Sequence, residues 1–338
     1  MSQTGEGEKT VSKLQQHSKK HPKTMKEEDI RYMRRCLQLA ACGMDGARPN
    51  PMVGAVIVHG DRIIGEGYHI RCGEGHAEVN AFASVRPADE PLLHEATIYV
   101  SLEPCAHYGK TPPCAELIIK KGVRRVVVGC VDPFARVQGR GIAMIREAGI
   151  DVTVGVLERE CRELNRRFFT FHSKRRPYIM LKWAQTADGF IDDHFHPTMI
   201  STPFTQMLSH KLRTENDAIL VGRVTAERDR PQLNVRHWAG RDPQRIYLDH
   251  DTDLNRLMAD LHGKGIQSLI VEGGAKTHRS FIAAGLWDEI RVEASPKTVG
   301  NGTPAPTLPA EIQAIKNEWF DGNQITVYRK EPGESRGL

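Results

Sequence analysis

The sequence lacks the features that mark membrane and secreted proteins. No apolar run approaches the roughly 20 residues that a membrane-spanning helix needs. The first residues include lysines but no apolar segment, so a secretory signal peptide is not expected. The 7 cysteines are an odd number, which disfavours a framework of paired disulfides and favours a reducing cytoplasm. Four of them fall in helix-like or strand-like patterns and are expected to be core thiols: Cys36, Cys42, Cys130 and Cys161.

A strong charge of one sign is also missing. The net charge of +5 is mild for 338 residues and does not by itself favour nucleic acid as a partner. Residues 1–24 are polar and basic with almost no apolar content, which predicts a disordered tail, and residues 333–338 form a second short tail. The chain is long enough for two domains.

A histidine, a glutamate and two cysteines have the spacing of a catalytic zinc site. His76 lies two residues before Glu78, and Cys105 and Cys114 each follow a proline. A catalytic zinc takes three protein ligands and keeps its fourth position for water. The pattern therefore predicts His76, Cys105 and Cys114 as ligands and leaves Glu78 to move protons, as in zinc deaminases. A structural zinc is the alternative, but such a site would not need Glu78.

Strands alternate with helices in both halves of the chain, which predicts layered α/β domains. Residues 165–176 are rich in arginine and lysine and are interpreted as the linker between a zinc domain at 25–173 and a second domain at 174–332. The second half contains no G-x-G-x-x-G, so a dinucleotide would not be held by that fingerprint. Glu272-Gly273-Gly274 instead follows a predicted strand and opens a helix, where backbone N–H groups can approach a phosphate.

Several segments resemble the bifunctional riboflavin-biosynthesis deaminase–reductases. In the first half these are residues 102–114 (LEPCAHYGKTPPC), 49–56 (PNPMVGAV) and 76–79 (HAEV). In the second half they are residues 181–189 (LKWAQTADG), 212–222 (LRTENDAILVG) and 271–274 (VEGG). The resemblance covers about residues 27–330. The long insert between the two cysteines separates this family from zinc deaminases that carry C-x-x-C.

The resemblance implies a cytidine-deaminase-like three-layer domain followed by a dihydrofolate-reductase-like domain. It also implies zinc-dependent hydrolytic deamination of 2,5-diamino-6-ribosylamino-4(3H)-pyrimidinone 5′-phosphate, then NADPH-dependent reduction of the ribosyl group to ribityl. One Zn²⁺ per chain and NADPH are the expected cofactors. The expected assembly is a homo-oligomer, either a dimer or a tetramer. Neither a membrane nor a nucleic acid is expected as a partner.

The resemblance also assigns roles to individual residues. In the deaminase, Glu78 is catalytic, Asn50 lines the pyrimidine pocket, and His107 and Lys110 contact the ring or the phosphate unless they are ordinary loop residues. In the reductase, Asp229 is the acid–base or substrate-orienting residue. Arg213 and Arg236 suit the substrate phosphate, unless they are solvated surface charges, and Leu233 also contacts the substrate. The implied cofactor-binding residues are Lys182, Thr186, Asp188, Ser201, Thr225, Glu272, Gly273 and Gly274.

The chain departs from the family pattern in two places. Met199 stands where the family usually has tryptophan. Family members also carry several tens more residues, including a strand, after the position of Asp249 and His250. A sheet that lacked this strand would have a gap with unpaired backbone groups, unless a neighbouring strand closed it or residues were absent from the chain. The trimmed case predicts weak NADPH binding and slow reduction.

Three alternatives remain open at this point. The chain can be a deaminase alone, with a truncated, non-catalytic reductase-like domain. It can be a nucleic-acid deaminase of the tRNA type with the basic tail as its arm, although such enzymes use C-x-x-C and give the second domain no role. A zinc-stabilised scaffold without activity is the third, and Glu78 argues against it.

Overall fold

The computed structural model describes residues 25–108, 112–134 and 138–330. Both predicted tails, at 1–24 and 333–338, lie outside the described residues, as does Lys110. No helix in the described part of the chain is long and apolar enough to cross a bilayer.

The first domain is a five-stranded sheet with helices on both faces. Its elements in chain order are α1 (Glu27–Ala41), β1 (Gly54–His59), β2 (Arg62–Tyr68), α2 (Ala77–Ala83), a 3₁₀ helix (Pro87–Glu95), β3 (Thr97–Leu102), α3 (Cys114–Lys121), β4 (Arg125–Cys130), α4 (Arg140–Glu147), β5 (Asp151–Val154) and α5 (Glu158–Leu164). The strand order is β2-β1-β3-β4-β5. The β1 strand is antiparallel to both β2 and β3, whereas β3, β4 and β5 are parallel.

Alternating strand residues of this sheet fill two separate cores. Ile57 and Ile98 point to the face covered by α2, α3 and α4. Val56 and Tyr99 point to the opposite face, where α1 and α5 pack. Because successive side chains of a strand point to opposite faces, a sheet buried on both sides needs apolar residues at every position. The apolar run of β1 meets this need and produces the expected three layers.

The segment interpreted as the linker is largely helical. It forms α6 (Arg166–Lys174), and Phe168, Phe169 and Phe171 on this helix are buried. Because arginines and lysines flank these phenylalanines, the overall composition of the segment does not reveal its apolar face. The linker is therefore a packed helix rather than an exposed connection, and it brings aromatic side chains to the boundary between the two domains.

The second domain is a seven-stranded sheet with the order β11-β12-β10-β6-β9-β7-β8. Its elements in chain order are β6 (Tyr178–Gln185), α7 (Pro203–Thr214), β7 (Ala218–Gly222), α8 (Arg223–Asp229), β8 (Gln244–Leu248), α9 (Leu254–Gly263), β9 (Ser268–Val271), α10 (Ala275–Ala283), β10 (Glu289–Ala294), β11 (Ile312–Phe320) and β12 (Asn323–Lys330). The five strands from β10 to β8 are parallel, and β11 and β12 add an antiparallel hairpin. The carboxyl ends of the parallel strands meet at one edge, where ligands of α/β sheets bind.

The short segment after Asp249 and His250 leaves no gap among the described strands. The sheet pairs continuously as far as β8, which is itself the edge strand, and the chain then enters α9. The alternative in which neighbouring strands close the sheet therefore agrees with the structure. Gln244, Arg245 and Tyr247 of β8 are exposed, as suits an edge. This exposure also explains why the strand gave no apolar signal in the sequence.

One expectation about the cysteines is also wrong. Cys36, Cys130 and Cys161 are buried, as expected for core thiols, but Cys42 is exposed. Cys42 caps the carboxyl end of α1, where the chain leaves the helix and turns into a surface loop. The apolar stripe of the helix does not extend to this position.

Candidate active sites

Two helix starts and one loop bring the predicted zinc ligands together. His76 is the residue before the first turn of α2, and Cys114 opens α3 after Pro113. Cys105 lies in the loop that follows β3. The hydrogen bond with Cys105 is the main cause that raises the pKa of Cys114, followed by burial, so Cys114 holds the proton between the two sulfurs.

The three ligand atoms have the separations of a tetrahedral zinc site. His76 Nδ1 lies 3.6 Å from Cys105 Sγ and 3.3 Å from Cys114 Sγ. All three ligand atoms lie within 4.8 Å of one another. Zinc bonds of about 2.3 Å to sulfur and about 2.0 Å to nitrogen at the tetrahedral angle place nitrogen and sulfur about 3.5 Å apart. The residues present therefore fit zinc without rearrangement.

Hydrogen bonds favour the thiolate form of Cys105. A hydrogen bond with the Cys114 thiol is the largest cause that lowers the pKa of Cys105, and the bond with His76 adds to it. The backbone N–H of Cys114 also donates to Cys105 Sγ at 3.3 Å. The thiolate is the form that binds metal.

Glu78 lies beside the zinc ligands but does not belong to their group. Its side chain is only 3% exposed, although it lines the same cavity as His76 and Cys105. Burial is the main cause that raises the pKa of Glu78, and the neighbouring Cys105 adds to the effect. A carboxyl group in this environment can both accept and donate a proton.

The cavity in front of Glu78 has a volume of about 570 Å³, within the range of small-molecule sites. The structure brings the predicted residues Asn50, His76, Glu78, Cys105 and His107 together on its wall. Lys110, predicted to contact the ring or the phosphate, lies outside the described residues.

His69 and Asp132 also line this cavity and were not predicted. The amide Nδ2 of Asn50 lies 3.1 Å from His69 Nε2, and His69 Nδ1 lies 3.1 Å from the carbonyl oxygen of Gly75. Asp132 follows β4, and burial raises its pKa to about 6. The position of Asp132 was a usable signal, because polar residues at the carboxyl ends of parallel strands often line sites. His69 had no comparable signal.

Glu103 holds the metal loop against the start of α4. Its buried carboxylate accepts hydrogen bonds from four backbone N–H groups, those of Asp132, Gly139, Gly141 and Ile142. A Cβ at Gly141 would lie only 1.9 Å from the carbonyl oxygen of Pro104, so only glycine fits there. The residue before Pro104 and Cys105 is thus structural, and it fixes where the loop carries the ligand.

The second cavity lies at the carboxyl ends of β7 and β8 and beside the start of α10. It has a volume of about 460 Å³, and Thr225 and Gly274 from the predicted cofactor set line it. Arg223, His250 and Lys276 also line it and were not predicted. The short segment after β8 therefore forms part of the wall of this cavity.

Arg213 and Glu272 form a partly buried, bidentate ion pair. Arg213 Nε donates to one carboxylate oxygen at 3.1 Å and Nη2 donates to the other at 2.7 Å. Burial opposes the charge of Glu272, but Arg213 keeps its pKa below the usual value, and Lys182 contributes. The charge of Arg213 is already matched by Glu272, and its role at the substrate phosphate stays a prediction.

The other predicted cofactor residues make contacts within the protein. Thr186 Oγ1 donates to Asp188 at 2.6 Å, and Asp188 accepts from the backbone N–H of Val299 and Gly300. Ser201 Oγ donates to Glu293 at 2.7 Å. Thr186, Asp188 and Ser201, together with Lys182, do not line the second cavity. Their cofactor roles stay predictions.

The predicted substrate residues of the second domain are also placed apart from the cavity. Asp229 ends α8 and pairs with Arg228 at 2.7 Å, so that Arg228, rather than Asp229, faces the cavity. The backbone N–H of Arg236 donates to His210 Nδ1 at 3.1 Å, and Leu233 is buried. Gly273 lies between Glu272 and the cavity residue Gly274.

Two family models match the chain, one for each domain. Residues 26–130 match the cytidine and deoxycytidylate deaminase zinc-binding region, and residues 177–324 match the RibD C-terminal domain. The riboflavin biosynthesis protein RibD of Aquifex aeolicus is 38% identical, and the match covers 82% of this chain and 90% of that protein. The protein of the same name from Escherichia coli strain K12 is 34% identical and covers 81% of this chain and 89% of that protein.

Solved structures agree with these matches over most of the chain. A diaminohydroxyphosphoribosylaminopyrimidine deaminase/5-amino-6-(5-phosphoribosylamino)uracil reductase from Thermotoga maritima superimposes with a TM-score of 0.83 at 33% identity. The superposition covers 90% of this chain and 99% of the Thermotoga maritima chain. A RibD structure from Acinetobacter baumannii gives a TM-score of 0.82 at 30% identity with the same coverage.

Proposed function

This chain belongs to the RibD family of riboflavin-biosynthesis enzymes and has its deaminase and reductase activities, and we propose which residues perform each of them. The zinc-binding domain and the reductase domain imply Zn²⁺ and NADPH as cofactors. We place the deaminase at residues 25–173 and the reductase at 174–332. The family matches at 26–130 and 177–324 support these boundaries.

The deaminase proposal rests on one observation: the three predicted ligand atoms lie within 4.8 Å of one another, and two of their residues, His76 and Cys105, line the same cavity as the buried carboxyl group of Glu78. Zinc, when bound there, lowers the pKa of a water molecule and makes it a nucleophile at neutral pH. With zinc bound, Glu78 would take one proton from that water and pass it to a ring nitrogen, then take the remaining hydroxyl proton and pass it to the amine, which would leave as ammonia. Burial of Glu78 supports this assignment, because the carboxyl group exchanges protons with the substrate rather than with bulk water.

The proposed substrate is 2,5-diamino-6-ribosylamino-4(3H)-pyrimidinone 5′-phosphate. The name of the Thermotoga maritima relative gives the same class of compound, a phosphoribosylaminopyrimidine. Asn50, held by His69, offers an amide to the polar edge of the pyrimidine, and Asp132 adds a carboxyl group to the same cavity. His107 and Lys110 remain candidates for the ring or the phosphate.

The reductase proposal rests on the second cavity. Gly274 precedes α10, where free backbone N–H groups favour a phosphate of NADPH. Thr225 lies on the same wall, and Glu272 and Gly273 lead to it. Asp229, Arg213, Leu233 and Arg236 are the proposed substrate residues. Asp229, Leu233 and Arg236 follow β7 in the chain, and Arg213 contacts Glu272, the residue directly after β9.

Product analysis with Asp229→Asn tests whether the two activities use separate sites. The wild-type protein should release the deaminated product without NADPH and the ribityl product with it. Asp229→Asn should deaminate at the wild-type rate but reduce at least about 100-fold more slowly, the lower limit for loss of a general acid–base group. Asp260→Asn, a change on the surface helix α9, serves as the matched control. If Asp229→Asn removes both activities from a folded protein, the two-site assignment is wrong.

A titration followed by NADPH fluorescence tests the effect of the short segment. Asp249, His250 and Thr252 form part of the cavity wall, and a five-residue connection offers few contacts to a dinucleotide. We expect a dissociation constant above about 10 μM, which corresponds to less than about 7 kcal/mol of binding free energy. Reduction should then be slow compared with deamination. Tight, saturable binding to the intact chain would contradict this expectation, and no binding at all would favour a deaminase with a non-catalytic second domain.

The assembly and location of the enzyme are also proposals. A homo-oligomer is supported by Trp319 and Ile315, which are 67% and 46% exposed on the edge strand β11. Exposed apolar patches are typical of interaction sites. The cytoplasm is supported by the ligand set, because thiolate ligands such as Cys105 and Cys114 need a reducing environment. Family membership leaves no basis for a nucleic-acid substrate.

A further inference from the structure

The deaminase cavity is built by both domains. Besides residues of the first domain, its lining includes Lys264, Gly265 and Gln267 from the turn between α9 and β9. Phe171 and His172 of the connecting helix α6 complete the same side. The second domain thus supplies part of a wall that the zinc site faces.

This turn is held in place on the first domain by a buried hydrogen bond. Gln267 Nε2 donates to the carbonyl oxygen of Pro49 at 2.7 Å, and Gln267 is only 7% exposed. Pro49 directly precedes Asn50, the residue proposed for the pyrimidine. Gly265 has a φ of +76°, a left-handed conformation that glycine adopts at low cost, and it turns the chain out of α9 at this point.

Stacked rings provide a second attachment. The His262 ring lies 4.3 Å from the Phe171 ring with 31° between their planes. On the same helix, His172 lies 5.1 Å from Phe134, which also lines the cavity. The end of α9 is therefore fixed against α6, and Lys264, which caps that end, has a defined place at the cavity.

The charge of the cavity points to a role for Lys264. Among the described residues of the lining, Lys264 is the only lysine or arginine, whereas Glu78, Glu103 and Asp132 are acidic. Glu103 is engaged by backbone N–H groups, and Glu78 and Asp132 are buried. Lys264 is exposed, so it stands where the cavity opens to solvent. A substrate with a reactive ring at one end and a phosphate dianion at the other suits this polarity.

We infer that Lys264 of the reductase domain binds the 5′-phosphate of the substrate in the deaminase site. The inference rests on the proposed deaminase function and adds a specificity residue to it. The ring enters first and reaches Glu78, while the phosphate stays at the opening, where the ammonium group of Lys264 compensates its charge. The reductase domain therefore contributes a substrate-binding residue to the deaminase site.

Deamination kinetics of the intact, zinc-loaded chain without NADPH test this inference. The rates are compared for the phosphorylated substrate and for the same compound without its phosphate. Lys264→Ala should lower kcat/KM for the phosphorylated substrate about tenfold, through KM, as expected for loss of a charge-assisted hydrogen bond near solvent. The value for the dephosphorylated compound should not change. Lys264→Arg should restore most of the loss, and Lys120→Ala, an exposed lysine on α3, should behave as wild type.

Each other outcome is decisive. If Lys264→Ala keeps the wild-type preference for the phosphorylated compound, the phosphate is bound elsewhere and the inference is wrong. If Lys264→Ala impairs both compounds equally, Lys264 acts only on the structure of the turn, and the inference is again wrong. If the wild-type chain deaminates neither compound, the proposed function fails instead.

Discussion

Glu78→Gln is expected to keep zinc and to lower the rate of deamination by about 10²–10⁴-fold, the usual cost of losing a general acid–base group. Glutamine has nearly the shape of glutamate, so the buried space beside Cys105 and His76 stays filled. Its amide cannot take a proton from water or return one to the departing amine. The loss should therefore appear in kcat, because Glu78 acts on the reacting atoms rather than on the phosphate or the ribose.

Two measurements separate this loss from damage to the site. Metal analysis of Glu78→Gln should give the zinc content of the wild type, because Glu78 lies outside the ligand group. Reduction of substrate that has already been deaminated should also be unchanged, since the second cavity shares no residue with the first. Near-normal deamination by this variant would rule out Glu78 as the proton carrier.

The zinc site was predictable from the sequence because its information is local. His76 and Glu78 belong to one helix start, and Cys105 and Cys114 each follow a proline beside a predicted helix or strand end. Each of these short motifs can be recognised without knowledge of the tertiary structure. The structure adds the separations of 3.3 and 3.6 Å that make His76 and the two cysteines a zinc site.

The rest of the cavity depends on tertiary contacts that no spacing reveals. Lys264 and Gln267 lie far along the chain from His76, and they reach the cavity only because the α9–β9 turn packs on Pro49. His172 belongs to α6, a helix in the segment that was interpreted from its composition as a charged linker. Nothing in the sequence marks Lys264, Gln267 and His172 as site residues. They line the same cavity only because one domain packs on the other.

Strands of the second domain were predictable only where they are buried. The β6 and β9 strands lie inside the sheet and appear as continuous apolar runs. The β8 and β11 strands lie at its two edges, and most of their side chains are exposed, so they have no such run.

Cys105→Ser is expected to lower zinc content well below one ion per chain and to remove deamination with it. A serine hydroxyl is neutral at neutral pH, whereas hydrogen bonds from Cys114 and His76 favour the thiolate at Cys105. Loss of a mere hydrogen-bond partner of a metal ligand costs about 10–100-fold in affinity, so loss of the ligand itself should cost more than about 100-fold. Metal analysis after dialysis, together with the deamination rate, measures both effects.

Cys42→Ser is the matched control for this substitution, because it makes the same chemical change at an exposed cysteine outside the cavity. It should keep both zinc and deamination. The reductase activity of Cys105→Ser should equal that of the wild type, since Cys105 lies in the loop after β3 and does not line the second cavity. Full zinc retention by Cys105→Ser would show that the ion is held by other residues. Zinc loss with unchanged deamination would show that the chemistry does not need the metal, and Glu78 would then lack the activated water on which its role depends.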